Sequence, residues 1–166
     1  NEEKRIGPTL RFFHNYLSQR GSSFELLVVD DGSSDGTVSF VREMMKDMKE
    51  LRLLPLPENK GKGRAIRKGM LDAKGVIRVF SDADGSTPVE ELDKLLKPLL
   101  KENFDIAIGS RYHKDSVVEK EQPLFRRAWS RFANGIVQNI LLPGIVDPHC
   151  GFKAFSKKSA IDLFSQ

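Results

Sequence analysis

Two carboxylates one residue apart, Asp82 and Asp84, follow an apolar segment that ends at Phe80. Such a pair at a strand end would repel itself unless a cation lies between the two side chains. Hard divalent cations take oxygen ligands, and Mg²⁺ usually uses one or two carboxylates together with substrate phosphates. By itself this pair is compatible with a divalent cation site and equally with a turn that leads into a helix cap, because Asp-x-Asp-Gly is also good turn chemistry.

A second acidic segment, residues 30–37 (DDGSSDGT), follows another apolar run. Its glycines permit positive φ and its small side chains leave room for a ligand. A carboxylate from Asp30 or Asp31 would suit a base N–H or ribose hydroxyls. The alternative is a strand-to-helix turn that Asp35 caps.

A third segment, residues 59–65 (NKGKGRA), combines glycines with cations at a predicted helix N-terminus. This combination suits a diphosphate. The spacing matches neither a Walker A loop nor GxGxxG.

Short apolar segments that alternate with helical segments position these motifs. The predicted strands are 24–29, 51–56, 76–80, 104–108 and 151–155, and the predicted helices are 37–48, 64–73, 88–101, 123–142 and one that Ser156 caps. This alternation predicts an α/β fold with a parallel sheet covered on both faces. The carboxyl ends of the strands then share one edge, where ligands bind, and the acidic motifs and Ser110-Arg111 fall there.

One predicted helix has explicit boundary signals. Thr87 is expected to cap it and Pro88 to be its first residue. Pro98 lies inside the same helix and is expected to kink or split it.

Composition limits the classes of protein. A chain of 166 residues fits a single domain, and a net charge of +4 does not by itself indicate nucleic acid. No run of 18 apolar residues is present, and the single cysteine, Cys150, is expected to be a packing residue. The chain begins at Asn1 and ends within a predicted helix, so we expect a fragment, residues 1–166, of a longer protein.

Taken in order, six motifs resemble the family 2 inverting glycosyltransferases, which have the Rossmann-like GT-A fold with a mostly parallel sheet. The likeness is greatest to the branch that glycosylates dolichyl or other polyprenyl phosphates. It implies that the family's first strand precedes this chain, with residues 1–3 as its tail. The motifs are residues 30–37, 59–63 with Gly69, 82–84, 109–111, 126–134 and 147–153.

The resemblance implies a nucleotide-sugar donor site with Mg²⁺ or Mn²⁺. Asp31, with Asp30 beside it, would contact the base, and Lys62 or Arg64 would lie near the donor phosphates. Asp82 would face the ribose or the shell of the metal. Asp84 would bind the metal and take part in catalysis.

The resemblance also implies an acceptor side. Arg111 and Lys153 would border it as catalytic residues. The helix predicted from Pro123 carries four residues that would contact an anionic acceptor headgroup near a membrane: Arg127, Ser130, Arg131 and Asn134. For the two arginines, the alternative is a solvated helix face. Segments outside this chain would hold the enzyme at the cytoplasmic side of a membrane, and nucleic acid is not an expected partner.

The segments 84–86 and 150–153 resemble the glucosyl branch, which implies UDP-glucose as donor and a polyprenyl phosphate as acceptor. The alternatives are a GDP-mannose-dependent mannosyltransferase and a family 2 transferase with a sugar hydroxyl acceptor. A receiver-type phosphoryl-transfer domain would have no use for residues 126–134. A nucleotide-binding module without turnover would not need both Asp82 and Asp84.

Overall fold

Helices and strands alternate along the chain, of which the computed structural model describes residues 1–110, 147 and 149–166. The helices are α1 (Ile6–Ser18), α2 (Thr37–Met44), α3 (Lys62–Asp72), α4 (Leu92–Lys101) and α5 (Lys157–Phe164). The strands are β1 (Leu26–Asp30), β2 (Leu51–Pro55), β3 (Ile77–Phe80), β4 (Ile106–Ile108) and β5 (Lys153–Ser156), and a 3₁₀ turn (Val89–Glu91) leads into α4. None of the helices described is both long and apolar enough to cross a membrane.

The strands pair in two groups. β1 and β2 are parallel, with Leu26 opposite Leu51. β5 lies between β3 and β4 and is antiparallel to both, so Lys153 pairs with Phe80 and with Ile108. The α/β prediction is confirmed, but the antiparallel direction of β5 was not predicted.

The direction of β5 decides where its first residue lies. Because β5 opposes β3 and β4, its start lies where those two strands end. We call the region where β1, β3 and β4 end and β5 begins the carboxyl edge. The segments after Asp30, Phe80 and Ile108 all leave the strands at this edge.

The apolar side chains form three clusters that fasten the helices to the strands. The first joins α1, α2 and β2, the second joins α4 to β5, and the third joins α3, β5 and α5. Cys150 belongs to the second cluster at 9% exposure, which confirms its packing role. Their buried members are Ile6, Leu10, Val41, Met44 and Leu51; Leu92, Leu95, Cys150, Phe152 and Ala154; and Met70, Phe155 and Ala160.

Helix α1 was not predicted, although the sequence carries its signal. Ile6 and Leu10 are buried in the first cluster, whereas Phe13 and Leu17 pack against the second. These four residues are spaced three or four apart, as on one face of a helix. α1 therefore connects the two halves of the core and holds its own N-terminus at the carboxyl edge, where the Thr9 hydroxyl donates to the Ala83 carbonyl at 3.2 Å.

The predicted start of α4 was wrong, whereas its predicted end at Lys101 is confirmed. Pro88 has extended backbone angles, so the 3₁₀ turn starts after it, and α4 begins only at Leu92 without a side-chain cap. The helix also continues through Pro98 to Lys101 rather than splitting. Proline removes one backbone donor, and the burial of the apolar face of α4 offsets that loss. By contrast, the Ser156 hydroxyl caps α5 as expected, accepting from Ser159 N at 3.2 Å.

Candidate active site

The turn after β1 is shaped around Asp30. This side chain is 5% exposed, and its Oδ2 accepts a hydrogen bond from Ser33 N at 3.0 Å. Gly32 has φ +72°, and a Cβ there would lie 2.7 Å from Asn59 N. Only glycine therefore allows the segment after β2 to pass so close to this turn.

The carboxylate of Asp31 fastens the start of α3. It accepts hydrogen bonds from Gly61 N at 2.7 Å and from Lys60 N at 3.2 Å. Both donors lie directly before Lys62, the first residue of α3, and Gly61 has φ +94°. Asp31 thus connects the second acidic motif to the glycine-rich cationic motif, which the sequence analysis had treated as separate pieces of the donor site.

Residues 1–3 lie along the loop that leads into α2. Asn1 Oδ1 accepts a hydrogen bond from Ser34 N at 2.8 Å, and Glu2 N donates to the Thr37 hydroxyl oxygen at 2.9 Å. The start of the described chain therefore forms part of the wall around the second acidic motif.

Asp35 holds the turn that leads into α2, although Gly36 and not Asp35 is the N-cap residue. Its Oδ1 accepts hydrogen bonds from the Thr37 N–H at 3.0 Å and from the Thr37 hydroxyl at 2.5 Å. The hydroxyl contact, above all, lowers the pKa of Asp35 from its usual value. The carboxylate therefore stays ionised while it secures the first residue of α2.

A cavity of about 170 Å³ lies beside Asp30 and Asp31. It is smaller than the roughly 300–1,000 Å³ of pockets that hold a whole drug-sized ligand, so it fits one moiety of a larger ligand. Its walls combine apolar side chains with carboxylates and amides. Glu2 Oε2 is buried and has no hydrogen-bond partner among the described residues, which leaves it open to a ligand donor. The lining comprises Asn1, Glu2, Ile6, Val28, Val29, Asp30, Asp31, Gly32, Ser33, Thr37, Asn59 and Ala83.

Asp82, just beyond the end of β3, lies between the Lys62 ammonium and the backbone of Gly151. Its Oδ1 lies 2.5 Å from Lys62 Nζ, and its other oxygen lies against the backbone of Gly151. A Cβ at Gly151 would overlap that carboxylate. The sequence analysis placed Gly151 in its last motif without a role. In the structure, the missing side chain of Gly151 leaves room for the Asp82 carboxylate.

Asp84 lies two residues further along the same loop. Its Oδ1 accepts a hydrogen bond from Ser86 N at 3.0 Å, and its Oδ2 lies 3.9 Å from an Arg5 guanidinium nitrogen. Burial raises the pKa of Asp84, but the hydrogen bonds from Ser86 and the charge of Arg5 outweigh it, so the net pKa is lowered. Sequence analysis missed Arg5, which precedes α1 and meets Asp84 only through the fold.

The two carboxylates offer the oxygen ligands that Mg²⁺ and Mn²⁺ prefer. Among the described residues, no group of three or more His, Cys, Asp or Glu side chains could hold a metal ion. Lys62 lies on Asp82 and Arg5 lies near Asp84, so the protein supplies two carboxylates and no third acidic ligand among these contacts. The pair therefore fits a divalent cation that takes its remaining ligands from water and substrate.

The other predicted site residues divide into two groups. Arg64 donates to the Glu58 carbonyl at 3.2 Å and so braces the loop before α3. Lys153 lies at the carboxyl edge, with its ammonium 5.9 Å from the centroid of the Phe80 ring. The predicted residues Arg111, Arg127, Ser130, Arg131 and Asn134 lie outside the described residues.

We predict that Gly151→Ala displaces the Asp82 carboxylate and separates it from Lys62. The affinity for a metal–nucleoside diphosphate complex should fall about tenfold, or about 1.4 kcal/mol. The melting temperature should stay close to wild type, since a flexible carboxylate can yield without moving the backbone. Calorimetric titration with UDP and Mn²⁺ measures the first effect and thermal unfolding the second.

Gly63→Ala is the matched control, because nothing lies within 4 Å of a Cβ at that position. Equal affinity losses in the two variants would contradict the role assigned to Gly151.

Comparisons with known proteins show the family of this chain. Residues 1–164 match the glycosyl transferase family 2. The chain is 38% identical over 177 residues to a dolichyl-phosphate beta-glucosyltransferase of Drosophila melanogaster, covering 99% of this chain and 54% of that protein. The dolichyl-phosphate beta-glucosyltransferase ALG5C of Trichomonas vaginalis is 35% identical over 173 residues, covering 99% of this chain and 51% of that protein. The chain thus spans about half the length of the curated relatives it matches.

A solved structure gives the same fold. It is glucosyl-3-phosphoglycerate synthase from Mycobacterium tuberculosis, in complex with Mn²⁺, UDP-glucose and phosphoglyceric acid. The TM-score is 0.68 at 24% identity, covering 95% of this chain and 54% of that one. The GT-A fold predicted from the sequence is confirmed.

Proposed function

Because this chain belongs to glycosyl transferase family 2, we propose that it is the catalytic domain of an inverting enzyme that transfers glucose from UDP-glucose to dolichyl or another polyprenyl phosphate. The observation that carries this proposal is the carboxyl edge. There the cavity beside Asp30 and Asp31 lies next to the loop that presents Asp82 and Asp84. The names of the curated relatives support the sugar and the acceptor.

The donor would lie along this edge from the cavity to the two carboxylates. The cavity beside Asp31 suits the base, and the carboxylate of Asp30 or Asp82 suits ribose hydroxyls. Lys62 lies close enough to Asp82 to meet a diphosphate beside it. Asp84 and Asp82 would hold Mg²⁺ or Mn²⁺, which when bound would neutralise the charge that develops on the leaving diphosphate.

The acceptor chemistry follows from the acidity of a phosphomonoester. Its second pKa is about 6, so at pH 7 it is mostly a dianion. A phosphate oxygen can then form the bond to the anomeric carbon as the bond to UDP breaks, and UDP leaves with the electron pair. No proton has to be removed from the acceptor, so the enzyme needs cations near the acceptor rather than a carboxylate base.

The cations available on the acceptor side are arginines and one lysine. Guanidinium groups suit phosphate oxygens because they donate two parallel hydrogen bonds. Lys153 lies at the carboxyl edge, and Arg111, Arg127 and Arg131 are assigned to this role by their motifs. Because a polyprenyl phosphate resides in a membrane, the enzyme would work at a membrane surface, on its cytoplasmic side.

We predict that the chain binds UDP more tightly than GDP in the presence of Mn²⁺, by about tenfold or more. The cavity is small, so a pyrimidine fits it better than a purine. Calorimetric titration of each nucleotide measures the difference. A transfer assay with UDP-glucose or GDP-mannose and polyprenyl phosphate then identifies the product, and tighter binding of GDP would favour the mannosyltransferase alternative.

A further inference from the structure

The two carboxylates of the donor site are already neutralised by the protein. Lys62 Nζ lies 2.5 Å from Asp82 Oδ1, and an Arg5 nitrogen lies 3.9 Å from Asp84 Oδ2. Lys62 pairs with Asp82, and Arg5 is shared between Asp84 and Glu2, so the protein already compensates part of the negative charge of both carboxylates. A divalent cation that approaches this site alone meets two like charges and one carboxylate oxygen that is occupied.

We propose that Lys62 is an internal counter-ion that occupies Asp82 until a nucleoside diphosphate arrives, and that it thereby makes metal binding depend on the nucleotide. When the diphosphate binds, Lys62 transfers its ammonium from Asp82 to a phosphate oxygen. Asp82 is then free to approach the metal, so each charge keeps an opposite partner throughout the exchange. The inference rests on the proposed function, because it concerns the metal and diphosphate of the donor.

The two partners of this ion pair differ in freedom. Asp82 lies against the Gly151 backbone, whereas the Lys62 side chain is 60% exposed and follows Gly61. A lysine is also a compact charge on a flexible four-carbon stem, which suits a group that changes partners. The lysine is therefore the member that moves, and the carboxylate stays at the carboxyl edge.

Arg5 lies farther from the carboxylate of Asp84 than Lys62 lies from that of Asp82. At 3.9 Å it neutralises Asp84 without a short hydrogen bond, and its other contact is Glu2 at 2.6 Å. Its charge can stay near Asp84 while a metal binds on the other side of the carboxylate. The exchange thus requires only Lys62 to leave its partner.

The test measures Mn²⁺ binding from the electron paramagnetic resonance signal of free Mn²⁺, first without nucleotide. Lys62→Met should bind Mn²⁺ about tenfold more tightly than wild type, since a partly exposed ion pair no longer competes. Lys62→Arg should behave like wild type. Lys60→Met is the matched control. It removes a positive charge two residues away from Lys62, from a side chain that pairs with Glu58 and not with Asp82.

A second series repeats the measurement with saturating UDP. UDP should tighten Mn²⁺ binding strongly in wild type and by a factor about tenfold smaller in Lys62→Met, as reciprocal coupling requires. Circular dichroism and the melting temperature show whether each variant is folded, and Lys62→Gln serves as a second neutral variant.

Two results would overturn the inference: unchanged Mn²⁺ affinity in both neutral Lys62 variants, or an equal gain in Lys60→Met, which would indicate general electrostatics. If UDP bound but failed to tighten Mn²⁺ binding in wild type, the nucleotide dependence would be contradicted, whereas a chain that did not bind UDP at all would contradict the proposed function. The series without nucleotide would still decide whether Lys62 competes with the metal.

Discussion

Asp84→Ala is expected to abolish Mn²⁺-dependent binding of UDP and to lower kcat/KM by about 10³-fold, since charge stabilisation by a metal is worth several kcal/mol. The residue is ionised in the folded chain, because Ser86 and Arg5 outweigh the effect of burial on its pKa. Its removal deletes one of the two carboxylates, while Arg5 keeps its ion pair with Glu2. Titration of UDP with and without Mn²⁺ measures the binding loss.

Two further variants separate the loss of the metal ligand from the general loss of a negative charge. Asp82→Ala should reduce Mn²⁺-dependent affinity less, because Asp82 shares its oxygen with Lys62 in the ligand-free chain. Asp162→Ala removes the same charge from an exposed position on α5 and should change nothing. Unchanged Mn²⁺-dependent affinity in Asp84→Ala would remove Asp84 from the metal site.

Much of the fold was predictable because each strand is a short apolar run with a clear turn after it. β1, β2, β3 and β4 all fall within or next to the predicted ranges. The direction of β5 was not predictable in the same way. Its pairing is set by contacts with β3 and β4, which precede it by more than forty residues, and local sequence carries no signal for them.

The predictions for helix α1 and for the start of α4 failed for different reasons. The apolar spacing of α1 is present in the sequence, at Ile6, Leu10, Phe13 and Leu17, and is itself a helix signal. Thr87 and Pro88 were good local signals for a helix start, but the chain keeps Pro88 extended and turns through a 3₁₀ segment before Leu92, which is buried. Burial of the first apolar residue therefore outweighed the capping preference.

The site was predictable as a set of motifs and not as a set of contacts. The acids and Lys62 were identified from residue types at strand ends. The pairing of Lys62 with Asp82, of Asp31 with the loop before α3, and of Arg5 with Asp84 required the fold. Charge pairs between distant segments leave no pattern in a single sequence, so these contacts could not have been found from spacing.

The second large effect concerns the acceptor side, where Arg131→Ala is expected to impair use of polyprenyl phosphate. Loss of a charge-assisted hydrogen bond costs about 1.5–3 kcal/mol, so the acceptor KM should rise or kcat should fall about 10–100-fold. The affinity for UDP with Mn²⁺ should change by less than about twofold, because the proposed donor site is formed by Asp31, Lys62 and Asp84 and does not include Arg131. Arg131→Lys should recover part of the loss, since lysine keeps the charge and lacks the fork.

The same chemistry predicts what the enzyme does not need. A phosphate dianion attacks without losing a proton, whereas a sugar hydroxyl would require a carboxylate to accept one. Glu119 and Glu121 belong to a charged segment, residues 112–122, that the sequence predicts to be a loop and that lies outside the described residues. Glu119→Gln and Glu121→Gln remove the carboxylates of that segment that could serve as the base, and both should leave kcat near wild type. Initial rates with polyprenyl phosphate, measured across acceptor concentrations for all four variants, give kcat and KM separately. A large fall in kcat in either glutamine variant, or transfer to sugar hydroxyls but not to polyprenyl phosphate, would replace the phosphate acceptor with a hydroxyl one.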